Sequence, residues 1–309
     1  MQSKTKYAVT RAQVEALFDS AGLGGVTAIT PLSDGWYNAV LAVTAGGVDY
    51  VLKVAPEPGI TVLAHERNLL CQELRFIALL EEQTTIRVPK VFAQGLDKAL
   101  LPCDWFIMEK LGGIRLDKAR LKGAARQDAD AQIAQILEQF HALQGAGFGY
   151  EQMGLEANWY LALRKMTQAL VEDCAGFRKR CARGKKLLRY IELHREILEA
   201  VPGVLVNFDL HTMNLFYQDE KLTVIDLERC FWGDWVGDCI MRGYAPPKHF
   251  SREEQIRFYL LEAYLATVAH SEKYSRYRPW NKAWWVDVTA SAYFVCKSFS
   301  ALRRLRRKG

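Results

Sequence analysis

Residues 204–228 read VLVNFDLHTMNLFYQDEKLTVIDLE, and this stretch contains the polar residues that best indicate the fold. An apolar run leads into a polar loop containing Asp209 and His211, and two short apolar runs around a turn at 219–220 then predict a hairpin. The hairpin places Asn214 and Asp226 at its two ends. An amide oxygen and a carboxylate at one spot suit Mg²⁺, which prefers oxygen ligands. Asp209, just upstream, is the candidate base.

The first part of the chain has strand character. Five segments rich in β-branched and aromatic residues are predicted strands: 26–32, 38–45, 48–54, 88–92 and 105–108. Gly46-Gly47 predicts a tight hairpin between two of them. Thr10 and Gln13 form a capping box for a short helix at 11–20, and the apolar spacing at 61–80 predicts a long helix. A small antiparallel sheet with one long helix follows from these patterns.

The second part is mostly helical. Gly112-Gly113 interrupts the strand pattern, so we place a boundary near residue 111 and expect two lobes, 1–111 and 112–309. The predicted helices are 126–144, 157–172, 184–200, 252–270 and 281–306. The fold class is therefore α+β, with a small antiparallel-sheet N-terminal lobe and a larger, mostly helical C-terminal lobe.

Composition narrows the class of protein. The 309 residues are 50% apolar and 25% charged, which excludes disordered and fibrous chains. Seven cysteines without paired spacing do not suggest a disulfide framework, so a reducing cytoplasm is expected. The sequence shows neither an apolar leader nor an apolar run of membrane-spanning length, so we expect no membrane association. The oligomeric state is not predictable from these patterns.

Three short patterns combine around the opening stretch: Asp209-x-His211-x-x-Asn214, Val224-Ile225-Asp226 and Gly233-Asp234-x-x-x-Asp238. Together they resemble the signature of the aminoglycoside phosphotransferase and choline kinase family, small-molecule kinases with a bilobal, protein-kinase-like fold. The resemblance implies ATP and Mg²⁺ as cofactors, Asp209 as the catalytic residue, and Asn214 and Asp226 as the metal ligands. His211, Asp234 and Asp238 are expected to brace the loop, although Asp234 is equally explained as a helix N-cap.

The same resemblance implies a nucleotide site in residues 1–111. Lys53 on the third strand corresponds to the lysine that contacts ATP phosphates, and Glu66 within the long helix corresponds to its ion-pair partner. Gly35 lies in the candidate phosphate loop, although this loop equally fits a plain turn between strands. The backbone of Glu109 and Leu111 corresponds to the hinge that pairs with adenine.

Two departures from the family pattern bear on activity. The family usually has His-Gly before the aspartate, whereas this chain has Asn207-Phe208. A catalytically degenerate, kinase-like nucleotide-binding or scaffold protein is therefore the alternative to an active kinase. Asp226 is followed by Leu227-Glu228 and no A-P-E segment occurs, which argues against a protein substrate.

The acceptor is expected to be the hydroxyl of a small molecule, either an antibiotic or a metabolite. Residues 251–309 carry twelve lysines and arginines against five acids, a net charge of +7, so the rest of the chain sums to about −1 and the formal net charge of +6 comes entirely from this segment. A basic acceptor side disfavours a polycationic aminoglycoside. Seven aromatic residues there could bind a flat or quaternary ammonium acceptor or simply pack the last helix: Tyr274, Tyr277, Trp280, Trp284, Trp285, Tyr293 and Phe294. The basic run fits a solvated helix end better than a nucleic-acid site, so we expect no nucleic-acid partner.

Overall fold

A computed structural model describes residues 4–32, 37–242, 245–276 and 282–307. The chain forms two compact units, each built from separate stretches of sequence. The first comprises Met1–Thr61, Asn68–Ala134 and Thr212–Glu228, and the second comprises Val62–Arg67, Gln135–His211 and Arg229–Gly309. These units are discontinuous in the chain, whereas our expectation was a single boundary near residue 111. The assignment of nucleotide and acceptor binding to 1–111 and 112–309 stays a prediction.

An antiparallel five-stranded sheet with strand order β1-β2-β3-β5-β4 forms part of the first unit. Its strands are β1 Val26–Pro31, β2 Ala39–Ala45, β3 Val48–Val54, β4 Val91–Gly95 and β5 Trp105–Glu109. The predicted β2–β3 hairpin is confirmed, with Gly46 and Gly47 at φ 56° and 79°. Positive φ at both positions of a two-residue turn favours glycine, which explains the pair.

Two helices accompany this sheet in the first unit. α1 (Arg11–Ser20) has the predicted capping box, because Thr10 and Gln13 bond reciprocally. α2 spans Leu69–Gln83 and not 61–80, and within 61–68 the chain forms a 3-10 helix at Ala64–Glu66. Asn68 adopts a left-handed conformation at φ 56°, so the helix cannot extend back through it.

The remaining strands form two small sheets. They are β6 Ile114–Arg115, β7 Val204–Asn207, β8 Leu215–Gln218, β9 Lys221–Val224 and β10 Cys230–Gly233. β6, β8 and β9 belong to the first unit, whereas β7 and β10 pair antiparallel in the second. The predicted β8–β9 turn is confirmed, with Asp219 and Glu220 both at positive φ. β6 and β10 were not predicted, because segments of two and four residues carry too little periodicity.

The second unit is mainly helical, as predicted. The remaining helices are α3 Gly123–Ala142, α4 Trp159–Gly176, α5 Ala182–Leu193, α6 Arg195–Glu199, α7 Arg252–Arg276 and α8 Lys282–Arg307. The single helix predicted at 184–200 is divided at His194, and α3 begins in the first unit and ends in the second. Trp159, Phe231 and Tyr264 are fully buried in the core of the second unit. Among the described residues, no helix is both long enough and apolar enough to cross a membrane.

Candidate active site

Lys53 lies at the centre of a buried ionic cluster in the first unit. The β-sheet register places it on β3 opposite Val40 of β2 and Phe106 of β5. Its Nζ donates to Oε1 and Oε2 of Glu73 at 2.6 and 3.0 Å and to Oδ1 of Asp226 at 2.5 Å. Lys53 and Glu73 are buried, whereas the Asp226 side chain is 38% exposed. One ammonium group is therefore held between two carboxylates, only one of which is accessible.

The partner of Lys53 is Glu73, so the predicted ion pair with Glu66 is wrong. Glu66 lies in the 3-10 turn before α2, belongs to the second unit, and is bonded to Arg276 at 2.6 Å. Glu73 is one turn into α2 and shares its buried face with Leu69 and Leu70. A glutamate at an apolar helical position needs a cationic partner, and this was the signal in the sequence that could have identified it.

The environment keeps Lys53 protonated. Burial alone would lower the pKa of Lys53, but the carboxylates of Asp226 and Glu73, with Glu228 further away, outweigh burial and raise that pKa. A lysine fixed in this way is a permanent point charge, which is the form that neutralises phosphate oxygens.

Asn214 and Asp226 flank the β8–β9 hairpin in the first unit. The N–H of Ile225 donates to the carbonyl of Asn214 at 3.0 Å, so the two ends of the hairpin are tied together. Asp226 adopts a positive φ of 57°, which is uncommon outside glycine and accompanies functional loops. An amide oxygen and a partly exposed carboxylate form a donor set that fits Mg²⁺ and leaves its other positions to water and phosphate.

A further contact in the first unit was not anticipated. Asn38, buried at the start of β2, donates its side-chain N–H to Oε2 of Glu228 at 2.8 Å. Asn38 is the last residue of the candidate phosphate loop at 33–38, and Glu228 lies two residues beyond Asp226. The bond ties these two segments together. Gly35 itself lies outside the described residues.

The structure restricts how the predicted hinge residue Glu109 could pair with adenine. The N–H of Glu109 donates to the carbonyl of Lys90 at 2.8 Å, so this N–H is engaged within the first unit. An adenine contact at Glu109 would therefore involve its carbonyl oxygen. The adenine-pairing roles of Glu109 and Leu111 stay a prediction.

Asp209 lies in the second unit, in a loop that begins at the end of β7. The N–H of Asp209 donates to the side-chain Oδ1 of Asn207 at 2.9 Å, and the N–H of Asn207 donates to Oδ1 of Asp238 at 3.1 Å. Nε2 of His141 lies 2.8 Å from the other oxygen of Asp238. The expected bracing role of Asp238 is confirmed, and Asn207 supports Asp209 through an Asx-type turn.

Asp234 has a different role from Asp238. Its Oδ1 accepts from the N–H of Val236 at 3.2 Å and from Arg257 Nη1 at 3.0 Å, so it caps the 3-10 helix Trp235–Arg242. Burial raises the pKa of Asp234 to about 6, although Arg257 opposes the shift. The N-cap alternative is therefore the better description of Asp234. His211 remains a predicted bracing residue.

Phe208, which stands where the family usually has glycine, is part of the core. It is fully buried, and its ring centroid lies 4.5 Å from that of Phe231. Gly237 makes room for it, because a Cβ at Gly237 would lie 2.8 Å from Cε1 of Phe208. The loop thus accommodates the large side chain through a compensating glycine, and the backbone N–H and the side-chain Oδ1 of Asn207 are both hydrogen-bonded.

Arg229 contacts Asp209 and was not identified from the sequence. Its Nε lies 2.9 Å from Oδ2 of Asp209, whose side chain is 26% exposed. Arg229 immediately follows Glu228 at the end of the motif around Asp226. The planar guanidinium of Arg229 therefore restrains one oxygen of the Asp209 carboxylate.

Solved structures with the same fold cover nearly the whole chain. A protein from Ralstonia eutropha JMP134, assigned by name to the aminoglycoside phosphotransferases, is 14% identical with a TM-score of 0.66, covering 96% of this chain and 98% of its own. A thermostable mutant of APH(4)-Ia bound to ADP and hygromycin B is 17% identical with a TM-score of 0.58, covering 94% and 98%. The streptomycin–ATP complex of APH(2")-IIa is 16% identical with a TM-score of 0.55, covering 96% and 97%.

At these identities the similarity establishes the fold, and the predicted α+β, kinase-like class is confirmed. No curated protein sequence is a significant match to the chain. The sequence profile of the phosphotransferase enzyme family matches residues 28–280, which is most of the chain. The predicted family resemblance is confirmed: the chain belongs to the phosphotransferase enzyme family.

Proposed function

We propose that the protein is an ATP-dependent kinase that transfers the γ-phosphate of ATP to a hydroxyl group of a small molecule. The observation that carries this proposal is the Lys53–Glu73–Asp226 cluster, because a buried lysine held by two carboxylates has the charge and rigidity that phosphate binding requires. Similar proteins are named as complexes with ADP or ATP and an aminoglycoside, which supports a nucleotide as donor.

The roles follow from the chemistry of each side chain. Lys53, oriented by Glu73, would contact the phosphates of ATP. Asn214 and Asp226 would hold Mg²⁺, which neutralises charge on the transferring group when it is bound. Asp209 would orient the acceptor hydroxyl and take its proton. The bond from the γ-phosphorus to the bridging oxygen of ATP breaks, a bond from the acceptor oxygen to that phosphorus forms, and ADP leaves.

The loop around Asp209 favours an active kinase over the degenerate alternative. The departure at 207–208 leaves the backbone N–H of Asp209 bonded, and Gly237 provides the space that Phe208 needs. Positioning contributes much of the rate in phosphoryl transfer, so an ordered loop is the property that matters. This observation supports turnover and not nucleotide binding alone.

The acceptor is proposed to be neutral or anionic. On α7, Nζ of Lys273 lies 4.9 Å from the ring centroids of both Tyr274 and Trp284, so a cation of the chain itself already faces these rings. Trp285 and Tyr293 are 58% and 65% exposed and do not pack in the core. Tyr277 and Trp280 lie outside the described residues. A cation beside the aromatic rings disfavours a quaternary ammonium or polycationic acceptor.

The test is a coupled ADP-release assay with MgATP over a panel of aminoglycosides, macrolides, choline-like amines, and neutral and carboxylated sugars. The proposal predicts saturable ADP release with at least one hydroxylated compound, and loss of that turnover to below about one hundredth in Asp209→Asn. Turnover of Asp209→Asn above a few percent of wild type would contradict the role of Asp209. Nucleotide binding without turnover across the whole panel would favour the scaffold alternative.

A further inference from the structure

Arg229 has a second carboxylate partner, which lies far from the motifs in sequence. Its Nε contacts Asp209 at 2.9 Å, and its Nη2 donates to Oε1 of Glu272 on α7 at 2.5 Å. Glu272 is buried, and all three residues belong to the second unit. The guanidinium of Arg229 therefore joins the candidate catalytic loop to α7.

Glu272 is itself fixed from another side. Arg276, one turn further along α7, donates to Oε1 of Glu272 at 3.0 Å and to Oε1 of Glu66 at 2.6 Å. Glu66 also accepts from the N–H of Leu63 at 3.0 Å. Negative and positive groups alternate along this buried row, which ends in the backbone of the 3-10 turn at Ala64–Glu66. The row explains what the misassigned Glu66 does.

The arginines also account for the clustering of acidic groups. Glu66, Glu272 and His65 lie close enough to one another to hold a metal ion. Burial alone would raise the pKa of Glu272, but Arg229 and Arg276 outweigh burial and hold that pKa well below its ordinary value. Two guanidinium groups already supply the positive charge that a metal would bring. The cluster is therefore an ion-pair network.

The geometry constrains how Asp209 is oriented. A guanidinium is planar and presents its donors in a fixed fork, so fixing one edge of Arg229 also fixes the edge that faces Asp209. Without Glu272, Arg229 could rotate about its own side-chain bonds together with Asp209.

We propose that Glu272 is a positioning residue, which acts through Arg229 to orient the Asp209 carboxylate for phosphoryl transfer. The inference rests on the proposed function, because it assigns Asp209 the role of receiving the acceptor proton. Glu272 makes no contact with the reacting groups in this scheme. Its effect is transmitted by the two bonds of Arg229.

The test compares Glu272→Gln with a matched control on the same helix. Glu262 is also buried on α7 and is bonded to Lys297 and Ser298 at 2.6 Å each, away from the row described above. The probe is MgATP with water as the acceptor, so no identified substrate is needed. We expect Glu272→Gln to lower kcat by about 10- to 100-fold with KM for ATP unchanged, since small misplacements of a reacting group have effects of this size. Glu262→Gln is expected to retain kcat within about threefold once its folded fraction is matched.

A double-mutant cycle separates positioning from general loss of structure. If Glu272 acts through Arg229, the double variant Arg229→Gln/Glu272→Gln has the same kcat as Arg229→Gln alone. Multiplicative losses in the double variant would overturn the inference. Glu272→Asp keeps the negative charge but shortens the side chain, so its carboxylate can no longer reach both Arg229 and Arg276, which share Oε1 of Glu272. This variant provides the same comparison if Glu272→Gln folds poorly, with kcat reduced and KM for ATP unchanged.

The inference and the proposed function fail in different ways. If Asp209→Asn is inactive while Glu272→Gln turns over like wild type, the positioning role of Glu272 is wrong and the proposed function stands. If Asp209→Asn turns over like wild type, the proposed function is wrong and the inference falls with it.

Discussion

The two units stabilise buried charge in different ways. In the first unit, the single ammonium of Lys53 serves two carboxylates, Glu73 and Asp226. In the second unit, Arg229 and Arg276 lie between successive carboxylates and each bridges two of them. Lysine offers a compact point charge, whereas arginine offers a rigid fork with several donors.

In the proposed mechanism the two clusters have different tasks. Each cluster has one more carboxylate than cation, and in the first cluster the accessible carboxylate is that of Asp226, where a divalent cation and phosphates would be received. The second cluster fixes orientation, because each guanidinium constrains a carboxylate on either side. Charge neutralisation and positioning both contribute to phosphoryl transfer, and in the proposed mechanism Lys53 serves the first and the two arginines serve the second.

Removing the shared cation should have the largest effect on stability. Lys53→Met leaves Glu73 buried without its positive partner, and we expect a loss of about 3–5 kcal/mol in the free energy of unfolding. Replacing the partner as well, in Lys53→Met/Glu73→Leu, should recover more than half of that loss. Denaturant titration measures both.

The matched control is Lys110→Met, which removes an exposed ion pair with Asp49 in the same unit. An exposed ion pair contributes little to stability, because water and salt screen it, so this variant should unfold almost like wild type. Equal losses for Lys53→Met and Lys110→Met would mean that burial of Lys53 has no special role.

The loop around Asp209 in the second unit also depends on the space that Gly237 leaves for Phe208. Gly237→Ala would bring a Cβ within 2.8 Å of Phe208, and we expect a loss of about 1–3 kcal/mol from overpacking. Gly176→Ala is the control, because a Cβ there meets no atom within 4 Å. A Gly237→Ala variant as stable as the control would show that the loop does not rely on this space. The readout is the thermal unfolding midpoint.

Measurements of ATP affinity should show whether Glu73 or Glu66 is the functional partner of Lys53. Glu73→Gln should weaken ATP binding by about tenfold, because Lys53 loses its charged partner, whereas Glu66→Gln should leave ATP affinity within about twofold. Titration with a fluorescent ATP analogue measures both affinities. The opposite ranking would restore Glu66 as the functional partner of Lys53.

The smallest expected effect concerns a histidine on α7 in the second unit. Burial, with Lys273 and Arg183 facing the ring, lowers the pKa of His270 from 6.5 to about 4. The folded state therefore holds a neutral ring, so the stability it contributes is present above pH 6.5 and is lost as the pH falls towards 4. Acidification from pH 6.5 towards 4 lowers the free energy of unfolding, and we expect this decrease to be smaller by roughly 1 kcal/mol in His270→Gln. This figure is discounted because the His270 side chain is partly exposed to solvent. Parallel pH profiles for variant and wild type would contradict this assignment.

Local sequence patterns were sufficient to predict most of the helices and strands and to identify the residues within the motifs. The Gly46-Gly47 turn, the capping box at Thr10 and the β8–β9 hairpin all depend on neighbouring residues, which is why they were predicted correctly. The partner of Lys53 was missed because the left-handed Asn68 delays the start of α2, and nothing in the apolar spacing reveals that interruption. The Arg229–Glu272 contact joins residues 43 positions apart, so only tertiary packing brings it about.

ATP titration of Asp226→Asn and Asp209→Asn, with and without Mg²⁺, shows whether the first cluster binds the nucleotide while the second orients the acceptor. We expect Asp226→Asn to lose the Mg²⁺-dependent part of ATP affinity and Asp209→Asn to bind MgATP like wild type. Equal weakening in both variants, or Mg²⁺-dependent affinity that survives in Asp226→Asn, would show that the two clusters do not have these separate tasks.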